Sequence, residues 1–87
     1  MNMETTIEHN EDEKTIRIFL NEESAGYLTY SVHDMALDIK HTVVDPKFRG
    51  KGLGRILVDN AIEYAEKEGL TIIPSCSYAE RVMNDGN

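Results

Sequence analysis

The chain has 87 residues, a net charge of −7 and a composition that is 40% hydrophobic and 29% charged. This length suffices for one globular domain, residues 1–87, and excludes a full Rossmann domain, a TIM barrel and a multidomain enzyme. The negative charge argues against nucleic acid and against anionic membrane surfaces as partners.

Four strands are predicted in the first half of the chain. An alternation of apolar and polar residues marks Thr15–Leu20, Ala25–Val32 and Met35–Val44. Thr5–His9 is predicted as a first edge strand, followed by the acidic turn 10–13. The short loops between these segments favour an antiparallel meander. In the longest strand, every second residue is expected on one face: Met35, Leu37, Ile39, His41 and Val43.

Two helices are predicted in the second half of the chain. Apolar residues recur every three or four positions over 52–68, which predicts an amphipathic helix that Gly69 ends. Leu70–Pro74 is a short apolar strand, and Ser-Tyr-Ala-Glu forms a capping box that opens a second helix over 77–83, with a frayed tail over 84–87. A helical crossover makes the flanking strands parallel. The predicted fold is therefore α/β (α+β), a mixed sheet of about five strands with an antiparallel meander, a terminal βαβ unit and two helices.

Basic residues are concentrated beside a cluster of glycines. Lys47, Arg49, Lys51 and Arg55 share a segment without acids, while the other basic residues are spread among all 16 acidic ones. Residues 49–54 read Arg-Gly-Lys-Gly-Leu-Gly at the start of the predicted helix, where backbone N–H groups bind anions. Bases in a first helical turn cost ~0.3–1 kcal/mol each against the helix dipole, so we expect a phosphate group here. The alternative is a flexible turn with exposed basic side chains.

The glycine spacing fits neither a Rossmann fingerprint nor a P-loop, but it fits Arg49-x-x-Gly52-x-Gly54. This motif resembles the acyl-CoA-binding motif of the GNAT superfamily of N-acetyltransferases. Residues 41–44, His-Thr-Val-Val, and residues 73–76, Ile-Pro-Ser-Cys, are similar to segments of its small, single-domain YjdJ-like members. The resemblance implies acetyl-CoA, or coenzyme A, as the cofactor and transfer of an acetyl group to an amine.

The resemblance also implies where the cofactor binds. Backbone N–H groups of 49–54 would bind the pyrophosphate, and the backbone around Val43 and Val44 would pair with the pantetheine arm where the two parallel strands separate. Lys47, Arg49 and Arg55 are alternatives for the 3′-phosphate. The complete set of implied cofactor-binding residues is Val43, Val44, Arg49, Gly50, Lys51, Gly52, Leu53, Gly54 and Arg55.

Three side chains are candidates for the chemistry. Acyl transfer to an amine needs a neutral nucleophile, a hydrogen-bond donor to the oxyanion and an acid for the leaving thiolate. The family resemblance gives the donor role to the N–H of Val43 or Val44. Cys76 and Tyr78 follow the last strand and could each assist the sulfur; Cys76 could also accept the acyl group covalently, and packing is the alternative role for both. His41 is either a base for the incoming ammonium group or a core histidine.

The cysteine count and the absence of long apolar segments limit the kinds of site and location expected for this chain. A single cysteine cannot form an internal disulfide, and no Cys/His spacing suggests a zinc site. The chain has no apolar run of ~18 residues and no hydrophobic signal segment, so we expect a cytoplasmic location.

The resemblance also bears on the acceptor site. Larger GNAT enzymes have helices after the first strand that enclose the acceptor site, whereas this chain has only the turn 10–13 there, so its acceptor site is open or is completed by a second subunit. A small amine, peptide, protein or polyamine acceptor, and a monomer or a homodimer, all remain open, as do a non-catalytic acyl-CoA sensor and an interaction module.

Overall fold

The computed structural model describes residues 4–85, with side chains as far as residue 84. The strands are β1 (Thr5–Asn10), β2 (Thr15–Leu20), β3 (Glu23–His33), β4 (Ala36–Val44) and β5 (Thr71–Pro74). A 3-10 turn (Pro46–Phe48) and helix α1 (Leu53–Glu68) connect β4 to β5, and helix α2 (Ser77–Asp85) follows β5. Within the described part of the chain, neither helix is long and apolar enough to cross a membrane.

The five strands form one sheet in the order β1-β2-β3-β4-β5. Strands β1 to β4 pair antiparallel with their chain neighbours, whereas β4 and β5 are parallel. The parallel register runs from Ala36 opposite Thr71 to Ile39 opposite Pro74. The predicted mixed sheet with two helices is therefore confirmed, and α1 is the crossover that makes its last two strands parallel.

One hydrophobic core covers one face of this sheet. Alternate residues of the inner strands point to that face, because successive side chains of a strand project to opposite sides. Helices α1 and α2 contribute to the same core, whose fully buried large side chains are Ile16, Ile18, Leu28, Leu37, Ile39, Leu53, Leu57 and Val58. On the opposite face, which we call the open face, Tyr27, Val43 and Ile73 remain 42%, 41% and 44% exposed.

A β-bulge in β4 reverses which side chains face the core. Thr29 of β3 pairs with His41, but the next β3 residue, Tyr30, pairs with Ile39, so Lys40 is an additional residue in β4. Ile39 is buried in the core, whereas His41, like Val43 beyond it, lies on the open face and is exposed. The prediction that His41 and Val43 share a face with Leu37 and Ile39 is therefore wrong, because strict alternation does not allow for an inserted residue.

The hairpin before β4 also differs from the prediction. Strand β3 spans Glu23–His33, which is longer than the predicted Ala25–Val32. Strand β4 begins at Ala36, because Asp34 and Met35 adopt positive φ angles of 51° and 62° in the turn. Met35 therefore belongs to the hairpin turn and not to the predicted strand face.

Helix α2 has a different N-cap and a later end than predicted. The carbonyl of Cys76 accepts a hydrogen bond from the Glu80 amide at 3.0 Å, so Cys76 occupies the N-cap and Ser77 is the first helical residue. Ser77 is therefore not the N-cap, and the predicted capping box is wrong. Residues 84 and 85 belong to the helix instead of the expected frayed tail, and residues 86 and 87 lie outside the described residues.

A cluster of polar and aromatic side chains connects the β1–β2 hairpin to α1. His9 Nε2 lies 2.7 Å from the Tyr30 hydroxyl, and the Tyr64 hydroxyl donates to Glu11 Oε1 at 2.9 Å. The rings of His9 and Tyr64 meet edge to face with centroids 4.5 Å apart. Burial lowers the pKa of His9, although the nearby Glu11 carboxylate opposes this shift.

This lowered His9 pKa should make the folded state less stable in acid. The unfolded chain, with a histidine pKa of about 6.5, binds the proton more readily than the folded chain, so stability present above that pH is lost as the pH falls towards the folded pKa. Urea unfolding of the wild type and of His9→Gln between about pH 8 and about pH 5 measures this loss. A difference in the free energy of unfolding between the two proteins that stays constant with pH would contradict the assignment.

Candidate functional site

Strands β4 and β5 separate after four paired residues. Their register ends at Ile39 opposite Pro74, although β4 continues to Val44. The Cys76 amide donates to the Ile39 carbonyl at 2.9 Å, and the chain then turns into α2. Within the described residues, the side of β4 that faces β5 therefore has no ladder partner over 42–44, and its backbone groups there are available to a ligand.

The separation opens a cleft of about 420 Å³. Strand β4 forms one wall, and the glycine loop (residues 49–52) and the start of α1 form another. Helix α2 contributes the ring of Tyr78. The residues that line it are Thr42, Val43, Val44, Phe48, Arg49, Gly50, Gly52, Leu53, Gly54 and Tyr78.

The start of α1 adjoins this cleft with backbone N–H groups that no side-chain cap satisfies among the described residues. Gly52 is its N-cap, with φ 76° and ψ 15°, and no side chain among the described residues caps the helix. Gly50 also has a positive φ of 82°, so both positions favour glycine, and a Cβ at either would meet nothing within 4 Å. The first turn contains no acid. Its N–H groups and the positive end of the helix dipole are therefore available to a phosphate.

Gly54 allows α1 and α2 to approach each other at their N-termini. A Cβ on Gly54 would lie 2.7 Å from the hydroxyl oxygen of Tyr78 and 2.9 Å from two of its ring carbons. Such distances are below van der Waals contact, so any larger residue would displace the ring. The absence of a side chain at Gly54 therefore leaves room for the Tyr78 hydroxyl beside the cleft.

The Cys76 thiol lies between β4 and the start of α2. Its Sγ atom donates to Thr42 Oγ1 at 3.7 Å, and Thr42 lines the cleft. Burial by itself raises the pKa of this thiol, but the N–H of Ala79, the hydroxyl of Thr42 and the N–H of Tyr78 outweigh that effect and lower the pKa. The thiol consequently ionises more readily than a free cysteine.

Most of the residues that the resemblance implied for the cofactor line this cleft. They are Val43, Val44, Arg49, Gly50, Gly52, Leu53 and Gly54. Lys51 and Arg55 are exposed outside its lining, and the Lys47 ammonium pairs with Glu23 at 2.7 Å.

Two residues that line the cleft were missing from the predicted set. Thr42 faces the cleft because the bulge at Lys40 reverses the alternation, and this insertion has no signal in the sequence. Phe48 is the one aromatic residue in the basic segment 46–51. Its position between Lys47 and Arg49 was the signal in the sequence that could have identified it as a lining residue.

The three candidate catalytic side chains do not converge on one point. Cys76 and Tyr78 lie beside the cleft, at the start of α2, whereas His41 lies on the open face and outside the cleft lining. Among the side chains that the structure describes, no group of three or more His, Cys, Asp or Glu residues could hold a metal ion.

The close approach of Gly54 and Tyr78 predicts strong coupling between these positions. Gly54→Ala should reduce the free energy of unfolding by about 1–3 kcal/mol because the added methyl group overpacks the ring. In a Tyr78→Ala background the same substitution should be neutral or stabilising by up to about 1 kcal/mol, since alanine favours a helix over glycine. A double-mutant cycle by urea unfolding measures both values. Equal costs of Gly54→Ala in the two backgrounds would rule out this contact.

The surroundings of Cys76 predict an early onset of thiol reactivity with rising pH. Alkylation of the folded protein by iodoacetamide should reach its half-maximal rate at a lower pH than alkylation of the urea-unfolded chain, because the thiolate is the nucleophile. Thr42→Val removes one hydrogen bond to the thiol and should move that midpoint upwards. A folded-state midpoint at or above that of the unfolded chain would contradict the lowered pKa.

Comparison with known proteins identifies relatives of this chain. Residues 15–86 match the family model described as GCN5-related N-acetyl-transferase. An uncharacterized N-acetyltransferase of Methanocaldococcus jannaschii is 50% identical over 36 residues, which are 41% of this chain and 16% of that protein. The chain therefore spans a small part of this curated relative.

Solved structures share the fold. A GCN5-like putative N-acetyltransferase from Staphylococcus aureus is 28% identical, with 93% of this chain and 79% of that chain covered and a TM-score of 0.72. The ribosomal-protein-S18-alanine N-acetyltransferase of Escherichia coli is 22% identical over 84% of this chain and 50% of that chain, with a TM-score of 0.72. The N-acetylglutamate synthase of Neisseria gonorrhoeae, complexed with coenzyme A and N-acetyl-glutamate, is 13% identical over 88% of this chain and 19% of that chain, also with a TM-score of 0.72. The family match extends over most of the chain, which belongs to the GCN5-related N-acetyltransferases.

Proposed function

We propose that this protein transfers the acetyl group of acetyl-CoA to an amine. The observation that carries the proposal is the cleft between the separated strands β4 and β5, which the uncapped start of α1 adjoins. Coenzyme A bound to the N. gonorrhoeae protein of the same fold supports the choice of cofactor.

The residues of the cleft fit the chemical groups of coenzyme A. The uncapped N–H groups of α1 and the open space beside Gly50 and Gly52 suit a pyrophosphate, and the Arg49 side chain adds positive charge. The unpaired side of β4 over 42–44 suits the amide groups of the pantetheine arm, which can hydrogen-bond like a strand. Lys51 and Arg55 lie outside the cleft lining, where they raise the local positive potential.

Bound acetyl-CoA supplies an acetyl group activated as a thioester. In our proposal, the N–H of Val43 or Val44 donates a hydrogen bond to the oxygen on which negative charge develops during attack. Tyr78 is the proposed acid for the leaving thiolate, because its hydroxyl lies beside the cleft, whereas the Cys76 thiol is occupied by its hydrogen bond to Thr42 Oγ1. His41, on the open face, is the proposed base for the amine.

We propose direct attack by the amine in a ternary complex, without an acetylated Cys76. Tyr78→Phe should then lower kcat, while Cys76→Ala should leave measurable transfer. Mass spectrometry that detects an acetyl group on Cys76, followed by its transfer to an added amine, would establish the covalent route instead.

Calorimetric titration with acetyl-CoA, coenzyme A and ATP tests the cofactor. We expect binding of the two CoA species and no binding of ATP, with at least about tenfold weaker CoA binding in Gly52→Glu, because a carboxylate would oppose the phosphate. Gly69→Glu is the matched control: Gly69 caps the other end of α1, has a similar φ of 71°, and also has open space around a Cβ. It should lose stability to a similar extent and retain CoA binding.

Two outcomes would count against the proposal. If the wild type binds neither acetyl-CoA nor coenzyme A, the proposed cofactor is wrong. If Gly52→Glu and Gly69→Glu lose CoA binding equally, the start of α1 is not the cofactor site. If CoA binds tightly but no amine in a chemically varied panel causes release of the CoA thiol, the protein is a sensor and not an enzyme.

A further inference from the structure

Asp38 is a carboxylate on the open face, next to the point where β4 and β5 separate. It lies opposite Ser31 of β3 and opposite Ile73 of β5, one residue before Ile39, the last β4 residue that pairs with β5. Its side chain is 20% exposed. Asp38 is therefore a partly sheltered acid in the middle of the sheet, and not one of the solvated acids of the surface turns.

The neighbours of Asp38 keep it ionised and connect it to the candidate catalytic segment. The Ser75 hydroxyl, whose effect outweighs that of burial, and the Lys40 ammonium lower the pKa of Asp38. Ser75 directly precedes Cys76, whose thiol contacts Thr42 in the cleft. The carboxylate is thus held at the same end of β5 as the proposed reaction site.

Asp38 already binds an ammonium group. The Lys40 Nζ atom lies 3.1 Å from Asp38 Oδ2, and the Lys40 side chain is 47% exposed. Exposed ion pairs contribute little to stability, so a cationic ligand can replace Lys40 here. Asp38 Oδ1 and the Oγ atom of Ser31, the β3 residue opposite Asp38, are buried and make no hydrogen bond among the residues described, which leaves two further acceptors here.

We propose that Asp38 binds a second, non-reacting ammonium group of the acetyl acceptor, so that the preferred acceptors are linear diamines. This inference rests on the proposed acetyl transfer. The attacking nitrogen must be neutral, and a carboxylate in contact with it would keep it protonated, so Asp38 suits the other nitrogen. Asp38 and Thr42 pair with Ser31 and Leu28, which are three residues apart in β3. At ~3.3 Å per residue the two positions are about 10 Å apart along the sheet, so several methylene groups must separate the two nitrogens.

The shape of the sheet allows one ligand to reach both places. Asp38 lies on the open face, whereas Thr42 lines the cleft on the core side. Beyond Ile39 the described residues provide no β5 partner for β4, so the sheet is not continuous between the two strands. The net charge of −7 also favours the approach of a dication.

Amide chemical shifts of the ¹⁵N-labelled full chain test the site without requiring activity. The probe is diaminohexane with one amino group at each end of its six-carbon chain. The controls have the same chain length: hexylamine carries one amino group and hexanediol carries none. We expect diaminohexane to shift the amides of Ser31, Asp38 and Ser75, and Asp38→Asn to weaken its binding at least tenfold. Asp12→Asn, the same change in the exposed acidic turn, should leave that affinity unchanged.

Lys40→Gln provides a test of opposite sign. It removes the internal ammonium group, so diaminohexane should bind several-fold more tightly than to the wild type. Equal affinity of the wild type, Asp38→Asn and Lys40→Gln for diaminohexane would overturn the proposal. Amide shifts confined to residues 8–12, at the acidic turn after β1, would overturn it as well. Spectra of each variant show directly whether it is folded.

Parallel titrations with acetyl-CoA separate this inference from the proposed function. Binding of acetyl-CoA without binding of diaminohexane would overturn the Asp38 site and leave acetyl transfer standing. Binding of diaminohexane at Asp38 without binding of acetyl-CoA would do the reverse. If transfer is observed, Asp38→Asn should raise the KM for diaminohexane at least tenfold and leave the kcat/KM for hexylamine unchanged.

Discussion

The early end of the β4–β5 pairing is the constraint on which the site depends. Four paired residues hold the two strands together, the Cys76 amide closes the pairing on the Ile39 carbonyl, and the chain then turns into α2. Every element beside the cleft takes its place from this point, because β4 continues without a β5 partner among the described residues and the N-termini of α1 and α2 approach each other beside it. The bulge at Lys40 then decides which β4 side chains meet the cleft.

Steric and electrostatic requirements coincide in the glycine loop. Positive φ angles at Gly50 and Gly52 bend the chain so that α1 starts without a side-chain cap, and Gly54 lets Tyr78 approach the helix. A first turn with basic residues and no acid is unfavourable for an isolated helix, and it becomes favourable when an anion is bound. This local departure from ordinary helix chemistry lies at the end of α1 that we propose as the cofactor site.

The fold was predictable from the sequence because periodicity and turn residues determine it locally. The change from a period of two to a period of three and four located the strands and α1, and Gly69 ends α1 as expected. The faces of β4 were not predictable, because one inserted residue at Lys40 reverses them and leaves no compositional trace. Asp38 was missed for a related reason: its significance comes from Ser75 and Ser31, which are distant in sequence and adjacent only in the folded sheet.

The unpaired side of β4 over 42–44 has a consequence for the chain as a folding unit. A bare strand edge is a template for another polypeptide strand and therefore a route to self-association. A ligand whose amide groups occupy this edge completes the sheet, and it stabilises the native state in proportion to the logarithm of its concentration. Bound there, the proposed cofactor would also take the place of the missing strand, and its supply would help to set how much of the protein stays folded and protected from self-association.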